Sequence, residues 1–135
     1  MAMKRHPALR QLSSDHHTGL VLARKAREAA KGAVQDPRYA WTTLVARFQA
    51  ELEPHFAVEE KGLLVALWRA GETDLVERTL TEHEDMRSLI AQDRPENLAR
   101  FAAMLAAHIR FEEQTLFARA QESLAPDQLT EWVMA

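Results

Sequence analysis

The chain has 135 residues, with 17 Lys plus Arg against 20 Asp plus Glu and a formal net charge of -3. That length predicts one domain around one core, and the charge excludes a strongly basic nucleic-acid binder. There is no cysteine, which excludes disulfides, thiolate zinc or iron–sulfur ligation and cysteine nucleophiles. No apolar run approaches the ~20 residues needed to span a bilayer. The opening Met1-Ala-Met-Lys-Arg-His-Pro7 has no apolar leader core, so a cytoplasmic location is expected.

Prolines and glycines punctuate the chain into helices. Pro7 opens a run rich in Ala, Leu, Arg, Lys and Glu that continues to Gly32; these are good helix formers closed by a helix-stopping glycine. Leu9, Leu12, His16, Leu20 and Ala23 recur at spacings of three and four and make its inner face. Asp36-Pro37 is an N-cap followed by proline at the first helical position. The second stretch carries Trp41, Leu44, Phe48, Leu52, His55, Glu59 and Leu63 on one face and runs toward Gly71. Pro54 lies inside it, removes one backbone hydrogen bond, and predicts a kink or the junction of two shorter helices.

Thr73 is the expected N-cap of a third helix, with Val76, Thr79, Leu80, His83, Met86 and Ile90 facing inward. Asp93-Arg94-Pro95 breaks the chain. Pro95 starts a fourth helix with Leu98, Phe101, Leu105, His108, Glu112, Leu116 and Arg119 in register. Ala125-Pro126 ends that run, and Asp127 to Val133 predicts a short tail helix packed through Leu129, Trp132 and Val133. No segment alternates with period two. The reading is an all-α fold, an antiparallel up-down-up-down four-helix bundle with a short C-terminal helix, forming one domain over residues 1–135.

The apolar faces carry unusual residues. Each of the four helices places a histidine there: His16 with His17 beside it, His55, His83 and His108. Two helices repeat the motif His-x-x-x-Glu-Glu, as His55-Phe-Ala-Val-Glu59-Glu60 and His108-Ile-Arg-Phe-Glu112-Glu113. Residues i and i+4 lie about 5–6 Å apart on one helix face, so each His–Glu pair can grip one ion or adjacent ions. Burying one unpaired carboxylate costs several kcal/mol, against a total stability of about 5–15 kcal/mol. Two carboxylates beside four imidazoles therefore need compensation. Protonated histidines paired with the glutamates would supply it, exposure would remove the need, and cations would satisfy it. Contributions from four helices at compatible depths favour cations. The candidate ligands are His16, His17, His55, Glu59, His83, His108 and Glu112. His16 shares a stripe with Leu9, Leu12, Leu20 and Ala23 and is the favoured first-helix ligand; His17, with Leu20 and Val21 three and four residues on, is the alternative.

This donor set exceeds what one tetrahedral zinc needs and is too rich in nitrogen for calcium or magnesium. Two carboxylates able to bridge, with terminal imidazoles, suit a pair of five- or six-coordinate iron ions with open positions; zinc or manganese can substitute. Two divalent ions against two carboxylates leave a charge of +2, so a bridging hydroxide, oxide or water is expected. The Glu-x-x-His motif of ferritin-like sites is absent, since no histidine has Glu three residues before it.

Leu12-Ser-Ser-Asp-His16-His17, His55-Phe-Ala-Val-Glu59-Glu60, Glu82-His83-Glu84 and His108-Ile-Arg-Phe-Glu112-Glu113 follow in order over essentially the whole chain. In combination they resemble the hemerythrin-like, or HHE cation-binding, family. The resemblance implies a four-helix bundle around a non-haem di-iron centre with an oxo or hydroxo bridge. It implies that Glu59 and Glu112 bridge the irons and that His16 or His17, His55, His83 and His108 are terminal ligands. The chain departs from the invertebrate oxygen carriers of that family. Arg87 stands where they have a second third-helix histidine, and His-x-x-x-Glu replaces His-x-x-x-x-Asp in the last helix. The pattern is closer to bacterial members linked to oxygen or nitric-oxide responses and iron–sulfur repair.

Glu60 and Glu113 lie about 100° around from the ligand face and read, like Glu84, as surface groups or as carboxylates holding an imidazole N–H. Trp41, Trp68, Phe56, Phe111 and Phe117 read as core. Arg24, Lys25, Arg27 and Lys31 read as a solvated basic strip. The leading functional reading is the binding or sensing of a small ligand (oxygen, nitric oxide or peroxide) at an open coordination position. Alternatives are an enzyme reducing peroxide or nitric oxide, an iron-donating repair factor, or a metal store. No flavin, iron–sulfur or nicotinamide motif stands in the chain, so turnover calls for an electron donor and sensing calls for a signalling partner protein. No nucleic-acid or membrane partner is expected, and the oligomeric state is left open.

Overall fold

The computed structural model describes residues 5–32 and 36–131. Helix α1 (Pro7–Ala30) begins behind His6, whose Nδ1 accepts the Ala8 N–H at 3.0 Å. Gly32, beyond its end, has φ +74°, a left-handed value that favours glycine at a helix stop. Asp36 caps the next helix by accepting the Arg38 N–H at 3.3 Å.

That helix, α2 (residues 37–69), is one uninterrupted rod built from Pro37–Arg47, Phe48–Leu52, Glu53–Val58, Glu59–Leu63 and Leu64–Arg69. Pro54 does not split it into two helices. The turn before it, Phe48–Leu52, is widened to π geometry, with the Glu53 N–H bonded to the Phe48 carbonyl. A wide turn relieves the clash of the proline ring with the preceding turn, so the rod continues. Two more π-turns, Glu59–Leu63 in α2 and Glu112–Leu116 later, begin on the glutamates of the repeated motif.

Helix α3 (Thr73–Ala91) is capped by Glu72 rather than Thr73. Gly71, at φ +92°, turns the chain so that the Glu72 N–H still bonds back to Leu67 O at 2.9 Å. The first helical residue is therefore Thr73 itself, one place earlier than expected. Asp93 follows α3 with φ 53°. Its Oδ1 accepts Trp41 Nε1–H at 2.9 Å and the Arg38 guanidinium at 3.0 Å, tying this corner to α2. A 3-10 turn, Pro95–Asn97, then precedes α4 (residues 98–123), which starts three residues after the expected Pro95. A short α5 (Pro126–Glu131) buries Leu129; Trp132 and Val133 lie outside the described residues.

Neighbouring rods run antiparallel, because their contacts descend in one as they ascend in the other. Ser13, His16 and Gly19 of α1 meet Glu113, Glu112 and Ile109 of α4. Asp15 and Gly19 meet His55 and Leu52 of α2. Glu53 and Glu60 meet Arg87 and His83 of α3. Glu72 and Glu82 meet Arg119 and His108 of α4. A Cβ on Gly19 would stand 2.8 Å from Ile109 Cδ1, so α1 and α4 approach closely there. Among the described residues there is no strand, and no helix is long and apolar enough to cross a membrane.

Two apolar cores fill the bundle. One centres on Trp41, Phe48, Phe56, Met86, Phe101 and Leu105. The other centres on Leu9, Leu12, Leu63, Leu67, Leu116 and Phe117. Each rod passes from one to the other through a polar level: His16 on α1, His55 and Glu59 on α2, His83 on α3, His108 and Glu112 on α4, all buried.

Three expected core positions are exposed instead. Leu20 is 40% exposed, Leu80 39% and Trp68 52%. On α1 the buried stripe is Leu9, Leu12, His16, Gly19, Ala23 and Ala26; on α3 it is Val76, Thr79, His83, Met86 and Ile90. Both are seven-residue repeats, which leave Leu20 and Leu80 one position beside the seam. Trp68 is displaced by the π-turn at Glu59–Leu63, after which Leu63, Leu64 and Leu67 face inward. Arg119 is likewise exposed and pairs with Glu72 at 2.8 Å.

Leu80 and Leu105 both stand three residues before a core histidine, yet only Leu105 is buried, at 0% exposure. Leu105→Ala should cost about 2–5 kcal/mol, and Leu80→Ala about 0.5 kcal/mol or less, measured by urea denaturation. Equal costs would contradict the seam described above.

Candidate metal centre

Four helices deliver six ionisable side chains to one level. His16 Nε2 lies 2.7 Å from Glu112 Oε1, and His55 Nε2 lies 3.3 Å from Glu59 Oε2 and 3.8 Å from Glu112 Oε1. His83 Nε2 lies 3.2 Å from Glu59 Oε1 and 3.6 Å from Glu112 Oε2; His108 Nε2 lies 3.0 Å from Glu112 Oε2. These contacts sort into two four-residue groups, His16–His55–Glu59–Glu112 and His83–His108–Glu59–Glu112, each with ligand atoms within 4.8 Å of one another. Both glutamates belong to both groups, one oxygen turned to each.

The helix period explains the convergence. His55 and Glu59, like His108 and Glu112, are separated by four residues and share a face. Each glutamate begins a π-turn, and such insertions commonly mark functional positions in helices. His17, the alternative first-helix ligand, is exposed and stands outside the cluster; the heptad seam of α1 passes through His16 and turns the next residue to solvent.

The donor set fits metal ions. His55 Nε2, His83 Nε2, His108 Nε2, both oxygens of Glu59 and Glu112 Oε2 are buried, and none makes a hydrogen bond. They approach one another closely but are not aligned as donor and acceptor. Six orphaned polar atoms facing each other in a dry interior call for a ligand that accepts lone pairs. Imidazole nitrogen with carboxylate oxygen is a donor mixture that first-row transition ions accept.

The outer ring atoms, by contrast, are each satisfied by a carboxylate. His16 Nδ1 meets Glu113 at 2.7 Å, His83 Nδ1 meets Glu60 at 2.7 Å, His108 Nδ1 meets Glu82 at 2.7 Å and His55 Nδ1 meets Asp15 at 3.0 Å. A carboxylate on Nδ1 fixes the tautomer that leaves Nε2 free as a donor to metal. Glu60 and Glu113 therefore hold imidazoles, one of the roles open to them from sequence. Glu82 and Asp15 do the same and were missed. Asp15 precedes His16 in the chain but serves His55 on the neighbouring helix, and Glu82 precedes His83 but serves His108, so adjacency in sequence does not identify the histidine that each one holds. Arg87 does not enter the cluster; it bonds Glu53 at 2.6 Å, Glu84 at 2.7 Å and Glu60 at 2.9 Å, and so secures the carboxylate behind His83.

Without a cation the cluster compensates by holding protons. Burial lowers the proton affinity of each imidazole, but the close negative charge of the Glu112 and Glu59 carboxylates outweighs it. His55 is pushed up to about 11, His83 and His108 to about 9, and His16 is also raised. Burial likewise pushes Glu112 up, yet His108, His16 and His55 around it hold it well below the ordinary carboxylate range. Glu59 is raised, by burial first and by the charge of Glu112 second. Metal ions and these protons compete for the same atoms.

A family model described as "Hemerythrin HHE cation binding domain" matches residues 8–120, and the chain belongs to that family. No curated protein and no solved structure gives a match.

The raised imidazoles set a sign for pH dependence in metal-free protein. Stability from a raised histidine is fully present below its unfolded value of about 6.5 and is lost as pH rises through the folded value. Thermal midpoints of metal-free protein should therefore fall as pH rises above about 6.5, with the His83 and His108 contributions lost by about 9 and that of His55 by about 11. Circular-dichroism melts from pH 7 to 11 test this, and a constant midpoint would contradict it.

Proposed function

We propose that His16, His55, Glu59, His83, His108 and Glu112 hold two first-row transition-metal ions, iron foremost, and that the centre binds or senses a small ligand: oxygen, nitric oxide or peroxide. One observation carries the reading. The two four-residue groups share both carboxylates, which is the arrangement of a bridged pair of ions rather than of two separate sites.

Each half offers two imidazole nitrogens and one oxygen from each glutamate. Four protein donors are fewer than a five- or six-coordinate ion takes, which leaves room on each ion for an exogenous ligand. Arg87, turned onto Glu60, adds no third imidazole to either half. When bound, a pair of irons supplies redox and Lewis-acid chemistry toward small oxygen and nitrogen species.

The protein's part is to position donors and exclude water. Phe56 stacks on the His83 ring at 3.9 Å and Phe117 on His16 at 5.2 Å. Apolar cores above and below close the layer. Zinc or manganese would fit the same donors. Reduction of peroxide or nitric oxide is the enzymatic alternative, and it requires an electron donor.

Metal analysis of protein from iron-replete cells should give two ions per chain. His55→Ala and His83→Ala should each lower the content toward one, and Glu59→Ala or Glu112→Ala should reduce both ions, since each removes a shared ligand. Nitric oxide or oxygen added to the anaerobic ferrous protein should produce new visible absorption bands. Metal content well below one ion per chain after reconstitution, or spectra indifferent to both gases, would overturn the reading.

A further inference from the structure

Each ligand imidazole separates the centre from the surface by the width of one ring. Its Nε2 faces the cluster, and its Nδ1 faces an outer carboxylate. The four edges differ in what secures that carboxylate. Arg5 reaches Glu113 at 3.3 Å, Arg78 reaches Glu82 at 2.9 Å and Arg87 reaches Glu60 at 2.9 Å. Among the described residues no guanidinium meets Asp15, on His55; it also accepts the neutral Gln11 amide at 2.9 Å. The His55–Asp15 contact is also the longest of the four, at 3.0 Å against 2.7 Å for the rest.

Asp15 opens on a cavity of about 240 Å³ between α1 and α2, lined also by Thr18, Gly19, Leu22, Glu51 and Leu52. Glu51 is a second carboxylate on that wall and pairs with Arg47 at 2.9 Å. The Glu60 edge holds more acid, but there Arg87 bonds Glu53, Glu60 and Glu84 together and lies 5.5 Å from the centre of the Phe56 ring. A dication arriving at that edge meets a fixed cation. At the Asp15 edge it meets two carboxylates, of which only Glu51 is paired with an arginine, in a cavity lined by both polar and apolar side chains; behind them lies the His16–His55 half, where His55 Nε2 and Glu59 Oε2 make no hydrogen bond.

We propose that hydrated divalent cations enter the centre through the α1/α2 edge, drawn by Asp15 and Glu51 and passed around the His55 ring into the His16–His55 half. This rests on the metal-binding reading above. Acidic groups at the mouth raise the local concentration of a dication and hence its rate of capture, and salt screens the effect. His55, with the longest outer contact and no arginine behind its partner, is the ligand ring with the least to displace.

The test is stopped-flow uptake of Co²⁺ by the metal-free full-length chain, read from the ligand-field absorption cobalt gains among nitrogen and oxygen donors. At low ionic strength Glu51→Gln should slow uptake about threefold and Arg47→Gln should speed it by about the same factor, since each makes a one-charge change at the mouth. Both effects should shrink at about 1 M salt, where the screening length is about 3 Å, and the final stoichiometry should not change. Glu84→Gln, the same charge change at the Arg87 edge, should leave the rate unaltered. Equal slowing by Glu51→Gln and Glu84→Gln would overturn the route in favour of general attraction by the whole surface. Two ions bound at rates blind to residues 47 and 51 would overturn the route alone. No uptake of Co²⁺ at all would overturn the metal reading and the route with it.

Discussion

The shared position of Glu59 and Glu112 between four imidazoles governs this molecule. Both carboxylates are fully buried, and every inner imidazole nitrogen approaches at least one of them within 3.3 Å. Unpaired, two such charges would consume a large part of the stability available to a domain of this size. The interior therefore has to carry positive charge at this level, as protons on the histidines or as metal ions. Every other feature of the bundle can be read as serving that requirement.

The layered core is the first consequence. Apolar clusters lie on either side of the polar level, and all four long helices run through both. Hydrophobic burial at two levels fixes the helices relative to one another, and that rigidity holds six side chains from separate elements to a common focus. The π-turns belong to the same design. At Pro54 a wide turn keeps α2 continuous, so that His55 and Glu59 stay on one rod with the packing residues on either side of them. At Glu59 and Glu112 the wide turn follows the ligand and resets the register of the helix beyond it.

The second consequence is the ring of carboxylates outside the histidines. Neutral imidazole donates one N–H and one lone pair, and the centre uses the lone pair. Asp15, Glu60, Glu82 and Glu113 receive the other side. Three of them are tied to arginines, so that negative charge near the centre is balanced where the helices meet solvent. The chain's overall charge of -3 gives no hint of this alternation, which exists only across helices.

Local chemistry determined much of this from sequence. Proline and glycine positions marked the four long helices because both residues constrain the backbone wherever they occur. The His-x-x-x-Glu repeat placed His55 with Glu59 and His108 with Glu112 because a helix brings i and i+4 together whatever surrounds it. What crosses from one helix to another was decided by the tertiary structure. It chose His16 over His17, turned Leu20, Leu80 and Trp68 outward, assigned Asp15 to His55 and Glu82 to His108, and directed Arg87 to Glu60 rather than to the centre. Those choices depend on a seam of 3.5 residues per turn, on inserted π-turns and on the rotation of each rod against its neighbours. Packing between helices sets all three, and residue spacing along one chain does not record them.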